Sequence, residues 1–400
     1  MSPHRTAADG AFPAVAAAAV EATRGGPTSA FPGGALEDPR RDACPACLRR
    51  AWLLATLSAR LDYRARDPEG LLQALALSDQ ELIRALGGRH KQELFERHAR
   101  FERSQLPAAE GVQRICHHDP LYPPALRGAG APPMLHVAGG FERIHALLAQ
   151  PTVAVVGTRR ASDYGMEVAY GLARGMAASG ITVVSGLAEG IAAAAHQGAL
   201  PTGGRTVTVM AGGVDVANPA SWRGLHRRIA AEGCALAELP CGATARGWCH
   251  IARARIVTAL ARVVIVVEAH EHPAELLHAR LAAATGATIA AVPGRVSAPG
   301  ARGPHQLLRE GALLVREPQD VLDALYGVGV HRAAVSRPAP GGRLRAVLDQ
   351  VGAGNDTVAK LTAGAALQGA PAHEVLVALA ELELGGAVAR GDGGRYVVCM

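Results

Sequence analysis

VAVVGTRRASDYG, residues 153–165, decides the fold. Four apolar residues, Val153 to Val156, stop at Gly157. Thr158, Arg159 and Arg160 follow, and Ser162 and Asp163 then offer the side-chain oxygens that start helices. A buried strand passing through a glycine turn into a helix is the opening unit of a doubly wound α/β sheet. The N–H groups of such a turn favour an anion, and an arginine beside them adds a two-pronged donor. The second glycine of a dinucleotide fingerprint is missing, and no Gly-Lys-Ser/Thr follows. The turn therefore suits a phosphate without carrying either common nucleotide signature.

The same rhythm continues downstream. Continuous Val/Ile/Ala runs predict strands near 153–156, 182–185, 206–210, 235–238, 263–267, 288–292 and 313–315, as when both faces of a sheet are covered. Helical stretches separate most of them, which predicts a mainly parallel sheet whose ligands bind beyond the strands' carboxyl ends. The second turn, in VVSGLAEGIAAAAHQGAL, offers Ser185, Gly186 and Gly190, with His196 further along, read first as a structural histidine. The third, AGGVDVANP, places Asp215 to accept from backbone N–H groups or a sugar hydroxyl. The fourth strand ends at Glu238 and the fifth at Glu268. HIARARIVTALA carries Arg253 and Arg255 near a helix start, and two positions apart they diverge by about 200°. RGPHQLLREGA adds Arg302, His305 and Arg309.

The rest of the chain brackets this core. Residues 1–42, rich in Ala, Gly and Pro, read as a disordered leader. Residues 43–110 read as a helical domain, with a Ser78/Glu81 capping box. Residues 117–139 are a proline-laden connector ending in a short strand, within a core spanning 111–326. Residues 327–342, with Pro338 and Pro340, form a linker. Residues 343–400 read helix, helix, helix, hairpin, the order of a small winged helix. Its third helix has no Lys or Arg from Pro371 to Gly386 but carries Glu374, Glu381 and Glu383, which suits a protein contact or a structural role better than DNA.

Composition narrows the function. The 400 residues carry a formal charge of +6, almost all of the positive charge being arginine, since Lys91 and Lys360 are the only lysines. This balance permits a polyanion and does not demand one. Aromatic residues make up 4%, so stacking platforms are scarce, with Tyr164, Trp222 and Trp248 the candidates in the core. Seven cysteines read as reduced thiols in a cytoplasmic protein. Cys44-Pro-Ala-Cys47 has the spacing of half a zinc site, but no second such pair follows. It reads as two small helix-start residues and no metal is assigned; Cys241, Cys249 and His250 are weaker candidates still. No apolar run reaches the roughly 20 residues of a membrane span.

Several segments in register resemble the DNA-processing protein A family (DprA, also called Smf). They are DPLYPPAL…PPMLHVAGG, VVGTRRASDYG, VVSGLAEGIAAAAHQGAL, GGVDVANP, VVEA, AVPG and RGPHQLLREGA. The resemblance runs from about residue 43 to 400. It implies an extended Rossmann-like core between an N-terminal helical, SAM-like domain and a C-terminal winged helix. It also implies a non-enzymatic protein that needs no cofactor, binds single-stranded DNA and protects it during natural transformation. Such a protein hands the strand to the RecA recombinase and forms a homodimer through the core. The DNA contacts would then come from Gly157, Thr158, Arg159, Arg160, Ser162, Ser185, Gly186, Gly190, Arg253, Arg255 and Arg302. His196, Asp215, Glu238, Glu268 and His305 would shape the pocket.

Polar positions depart from the family pattern. Glu189 stands where an Arg is usual and Ala192 where an Asp is. The Phe-Pro-x-Arg-Asn-Arg stretch has become His250-Ile251-Ala252-Arg253-Ala254-Arg255. Pro273-Ala274-Glu275 replaces Ser-Gly-Ser, His305 replaces Asn, and Asn218-Pro219-Ala220 lacks the usual basic residue. Two other readings remain. A nucleotide-processing enzyme of the phosphoribohydrolase type would need a Pro-Gly-Gly-x-Gly-Thr turn, of which VPGRV keeps only a part. A decayed paralogue would act only as a protein scaffold.

Overall fold

The computed structural model describes residues 42–128, 130–272, 274–334, 342–363, 371–384, 388–391 and 394–398. The expected leader, apart from Asp42, lies outside these residues, as do 335–341 of the expected linker and Pro273.

Five helices come first: α1 (Pro45–Thr56), α2 (Ser58–Arg64), α3 (Pro68–Ala76), α4 (Asp79–Leu86) and α5 (Lys91–Ala99). Pro at the first position starts α1 and α3, where its missing N–H costs nothing. Ser78 caps α4, and Glu81 reaches back to the Ser78 N–H at 2.9 Å, as the capping box predicts. Leu53, Leu61, Leu71, Leu82 and Ile83 are wholly buried between these helices. The same apolar cluster takes in Trp248 from the sheet domain. Trp248 is fully buried, its indole N–H donating to Ser58 Oγ at 2.8 Å and its backbone N–H to Asp62 Oδ1 at 3.1 Å. The expectation of a stacking platform there is therefore wrong: the ring joins the helical segment to the sheet domain.

The core is one nine-stranded sheet. Its strands are β1 (Val112–Cys116), β2 (Met134–Ala138), β3 (Thr152–Val156), β4 (Thr182–Gly186), β5 (Thr206–Met210), β6 (Cys234–Ala237), β7 (Val263–Val266), β8 (Thr288–Ala291) and β9 (Leu313–Leu314). Their order is β1-β2-β6-β5-β4-β3-β7-β8-β9. Pairing is parallel from β6 to β9 and antiparallel at β1/β2 and β2/β6. All seven expected parallel strands and the short strand ending the connector are present. β1 was not expected: its sequence VQRIC mixes polar and apolar residues, and only its last two are buried.

The connections between strands carry α6 (Phe141–Leu148), α7 (Asp163–Ala178), α8 (Ile191–Ala199), α9 (Arg223–Glu232), α10 (Gly247–Leu260), α11 (Leu277–Thr285) and α12 (Arg302–Arg309), and α13 (Pro318–Tyr326) follows β9. From β3 the chain winds outward through β4, β5 and β6, then returns to place β7 on the other side of β3. The order reverses between β3 and β7, and such a switch point opens a crevice at the carboxyl ends.

The last described segments are α14 (Gly342–Gly352), α15 (Val358–Ala363), α16 (Ala372–Leu384) and an antiparallel pair, β10 (Val388–Arg390) and β11 (Tyr396–Val398). Val347, Leu361, Val375 and Leu379 form their own buried cluster. Among the described residues, no helix is long and apolar enough to cross a membrane.

Candidate nucleic-acid interface

The switch point is locked by Glu268, which follows β7. Its backbone carbonyl accepts from the Thr158 N–H at 2.7 Å. Its buried carboxylate accepts the Ser162 N–H at 2.8 Å and the Ser162 hydroxyl at 2.5 Å. Ser162 is the N-cap of α7, and its Oγ also accepts from the Gly165 N–H at 3.1 Å. The anion seat at this helix start is thus taken by the protein's own carboxylate. This corrects the expectation that Ser162 is open to a phosphate. Thr158 is buried, its Oγ1 accepting from the Arg160 N–H at 3.2 Å. Arg159 and Arg160 are exposed at the tip of the turn.

The turn after β4 interlocks with this one. Gly190 has φ +70°, and a Cβ there would lie 2.5 Å from the Thr158 carbonyl oxygen and 2.7 Å from that of Arg159. No side chain fits, so the two turns approach backbone to backbone. Ser185 is buried and donates to the Val155 carbonyl at 2.7 Å, a second correction, because that hydroxyl does not face solvent. His196 is wholly buried between Thr206 Oγ1 at 2.7 Å and the Gly186 carbonyl at 3.2 Å. Burial holds its pKa down at about 4, as befits a neutral structural histidine.

Gly186 makes room for a cation. A Cβ there would sit 2.6 Å from Cζ of Arg253, so the guanidinium lies flat against the end of β4. Arg253 Nη1 donates to the Leu187 carbonyl at 3.3 Å, and its buried Nε has no partner. Among the described residues no carboxylate forms an ion pair with it. Burial, and then the neighbouring charge of Arg159, lower its pKa to about 10. His250 is held at about 4 by burial, then Arg253, then Arg159. His278, from α11, is held at about 3 by burial and Arg253. Two guanidiniums and two neutral imidazoles therefore act on one another near the carboxyl ends of β3 and β4, with Asp62 the acid that partly offsets them at His250. Such a site stabilises an incoming anion, because the anion relieves both desolvation and like-charge repulsion.

The other expected residues are otherwise engaged. Arg255 turns away from Arg253, as the helical spacing predicts, and its Nη2 meets Glu238 Oε1 at 2.6 Å. The pair is nearly buried, with side chains 12% and 5% exposed, so Arg255 is neutralised inside the fold instead of facing DNA. Asp215 accepts the Gly242 N–H with both oxygens, at 2.9 and 3.1 Å, one of the two roles foreseen for it. His305 Nε2 lies 3.1 Å from the Gly294 carbonyl. Arg302 is exposed as the first residue of α12, beside Gly303, whose N–H donates to the Ala269 carbonyl at 2.9 Å. Tyr164 is 49% exposed, with its hydroxyl donating to the Pro293 carbonyl at 2.8 Å.

Among the departures from the family pattern, Glu275 is engaged too, accepting the His270 N–H at 2.9 Å. Glu189 is exposed in the turn before α8. Sequence reasoning missed His250 and His278 as members of the basic cluster. No local signal marks them, because three different crossovers bring the cluster together.

Comparison with known proteins places this arrangement. The family model described as DNA recombination-mediator protein A matches residues 113–326. A putative DNA processing protein DprA of Mycobacterium tuberculosis is 38% identical over 275 residues, 67% of this chain and 69% of that one. The protein Smf of Escherichia coli is 33% identical over 294 residues, 68% of this chain and 74% of its own length. The solved DNA processing protein A of Streptococcus pneumoniae superposes with a TM-score of 0.56 at 29% identity, covering 70% of this chain and 98% of that one. The match takes in the whole switch-point crevice, from β3 through α12. The chain belongs to the DNA recombination-mediator protein A family.

Proposed function

We propose that the chain binds single-stranded DNA at the carboxyl ends of β3 and β4, holding a backbone phosphate between Arg159 and Arg253. The observation that carries this reading is Arg253 itself, a guanidinium with a buried Nε, no carboxylate partner and a second arginine close by. A buried cation without a partner is costly to fold, and an anionic ligand offsets that cost. Arg160 and Arg302 extend the positive surface on either side, and the half-exposed ring of Tyr164 can stack a base. A seat for one phosphate at a time suits a flexible single strand, and no step of this reading breaks a bond. Following the resemblance, the bound strand passes to the RecA recombinase, and a homodimer through the core presents two such seats. The C-terminal helices and hairpin would form a winged helix that contacts protein, since Glu381 and Glu383 are exposed on α16.

Fluorescence anisotropy with a labelled oligothymidylate, titrated over salt, tests the reading. Arg159→Ala is expected to weaken binding at every sequence and to flatten the log–log salt slope by about 0.7. Unchanged affinity and slope in both Arg159→Ala and Arg253→Gln would reject it. Turnover of a nucleotide by the wild type would favour the enzyme reading instead.

A further inference from the structure

Cys44 and Cys47 find their second half in a distant segment. Cys44 is the N-cap of α1, Pro45 is the first residue of that helix, and Cys47 lies in its first turn. Cys116 is the last residue of β1, and His118 follows two positions on. The three sulfurs and one ring nitrogen of His118 all lie within 4.8 Å of one another. His118 Nδ1 is 3.3 Å from both Cys44 Sγ and Cys47 Sγ. The Cys44 N–H points at Cys116 Sγ, 3.5 Å away. A tetrahedral zinc site, with Zn–S of about 2.3 Å and Zn–N of about 2.0–2.1 Å, has ligand–ligand edges of about 3.6–3.8 Å. The two His118–sulfur separations fall just short of that length, and every other pair of ligand atoms lies within 4.8 Å.

The surroundings are those of a built site. His117 Nε2 lies 3.2 Å from His118 Nε2, which orients the His118 ring with Nδ1 toward the sulfurs. Arg127 clamps the loop between them and β2. Its Nη1 donates to the His117 carbonyl at 2.8 Å and its Nη2 to the Asp119 carbonyl at 2.7 Å. Asp42, two residues before Cys44, meets Arg114 of β1 at 2.7 Å, so the two ligand-bearing segments are also tied beside the cluster. Cys47 and Cys116 are buried, whereas His118 is exposed.

We propose that Cys44, Cys47, Cys116 and His118 bind one Zn²⁺ and that the ion staples α1 to the end of β1. Three soft thiolates and an imidazole in tetrahedral array select zinc over hard cations. On binding, the three thiols release their protons to solvent, and His118 coordinates as the neutral ring. With four protein ligands and no open position, the ion is structural, and its binding energy becomes folding energy. This inference is independent of the DNA reading.

The test uses the full-length chain, purified under reducing conditions without chelator and supplied with Zn²⁺ alone. Elemental analysis and native mass spectrometry are expected to show about one zinc per chain. Replacement by Co²⁺ is expected to give thiolate-to-metal charge transfer and the visible bands of a tetrahedral site. His118→Ala, a truncation at an exposed position, is expected to weaken zinc retention by at least roughly 10–100-fold against a competing chromophoric chelator, since losing a residue that merely orients a ligand already costs that much. Wild-type protein that stays folded with free thiols and substoichiometric zinc would overturn the proposal. So would a Cys44–Cys47 disulfide that persists under those conditions, or a cobalt spectrum without thiolate bands.

Discussion

Arg253 and Arg255 leave the same helix two residues apart and end in opposite electrostatic settings. Arg255 meets Glu238, the residue after β6, and the two charges cancel in a nearly buried pair. Arg253 turns toward β4, where it donates to the Leu187 carbonyl, has a second arginine nearby, and forms no ion pair among the described residues. The sheet order produces the difference, because a carboxylate follows β6 whereas β4 ends in glycine. One arginine is therefore structural, and the other is the one on which the proposed phosphate seat rests. What separates the proposed binding residue from the structural one is the missing carboxylate partner, not the residue type.

The largest expected effect lies on the paired side. Arg255→Leu strands Glu238 as a buried carboxylate, and breaking such a pair costs about 3–5 kcal/mol of stability. Urea unfolding is expected to show that loss, while the folded fraction keeps its DNA affinity. A loss of affinity with little loss of stability would invert the assignment of the two arginines.

Next comes the unpaired side. Arg253→Gln removes a charge that nothing in the protein compensates, so stability is expected to hold or rise. A charge-assisted contact to the phosphate is worth about 2 kcal/mol, so affinity is expected to fall about thirtyfold at constant salt. If instead the variant loses stability and keeps its affinity, Arg253 belongs to the core and not to the DNA path.

The histidines sharpen the comparison through pH. The ordinary value for His250 is 6.5, and in the fold it lies at about 4. A folded pKa below the unfolded one gives stability that is present above pH 6.5 and lost as pH falls toward 4. The loss between pH 7 and pH 5 is about 2 kcal/mol for each such histidine. His196 and His136, also at about 4, add to it. A phosphate at Arg159 and Arg253 offsets the repulsion that helps to hold His250 down, so binding raises its pKa and takes up protons. Affinity is therefore expected to increase as pH falls from 7 to 5.5, with the His250 ring signal in NMR moving to a higher pKa when oligonucleotide is added. An unmoved His250 titration would separate it from the anion seat.

Much of this was legible in the sequence, and the misses have physical causes. The seven parallel strands announce themselves because strands buried on both faces are continuously apolar. β1 does not, since Gln113 and Arg114 belong to a half-covered edge strand. With β1 missed, Cys116 and His118 could not be placed beside Cys44 and Cys47, and a C-x-x-C with a C-x-H some seventy residues later looked like half a site. Helical spacing correctly sent Arg253 and Arg255 apart, but only the strand order tells which of them meets a carboxylate. Ser162 and Ser185 looked like phosphate donors because a hydroxyl in a turn carries no mark of what it already donates to. Trp248 looked like a stacking ring because its type says nothing of the helices packed over it.

Glu189 carries the smallest of the expected effects and tests how far the unpaired field reaches. It is exposed in the turn before α8, one residue from Gly190, which packs against the carbonyls of Thr158 and Arg159. The other acidic departure, Glu275, is engaged by His270, so of the two it is Glu189 that adds an exposed negative charge beside the arginine turn. An exposed charge at this range is worth about 1 kcal/mol against a phosphate before screening. Glu189→Arg reverses its sign and is expected to tighten binding severalfold at low salt. The gain shrinks as salt rises, and stability is expected to change little because the residue is exposed. Matched salt titrations of wild type and variant decide it. Curves that coincide at all salt concentrations would place the DNA path away from the β4–α8 turn, toward Arg302 and the start of α12. Curves that diverge at low salt and converge at high salt would trace the path across both interlocked turns.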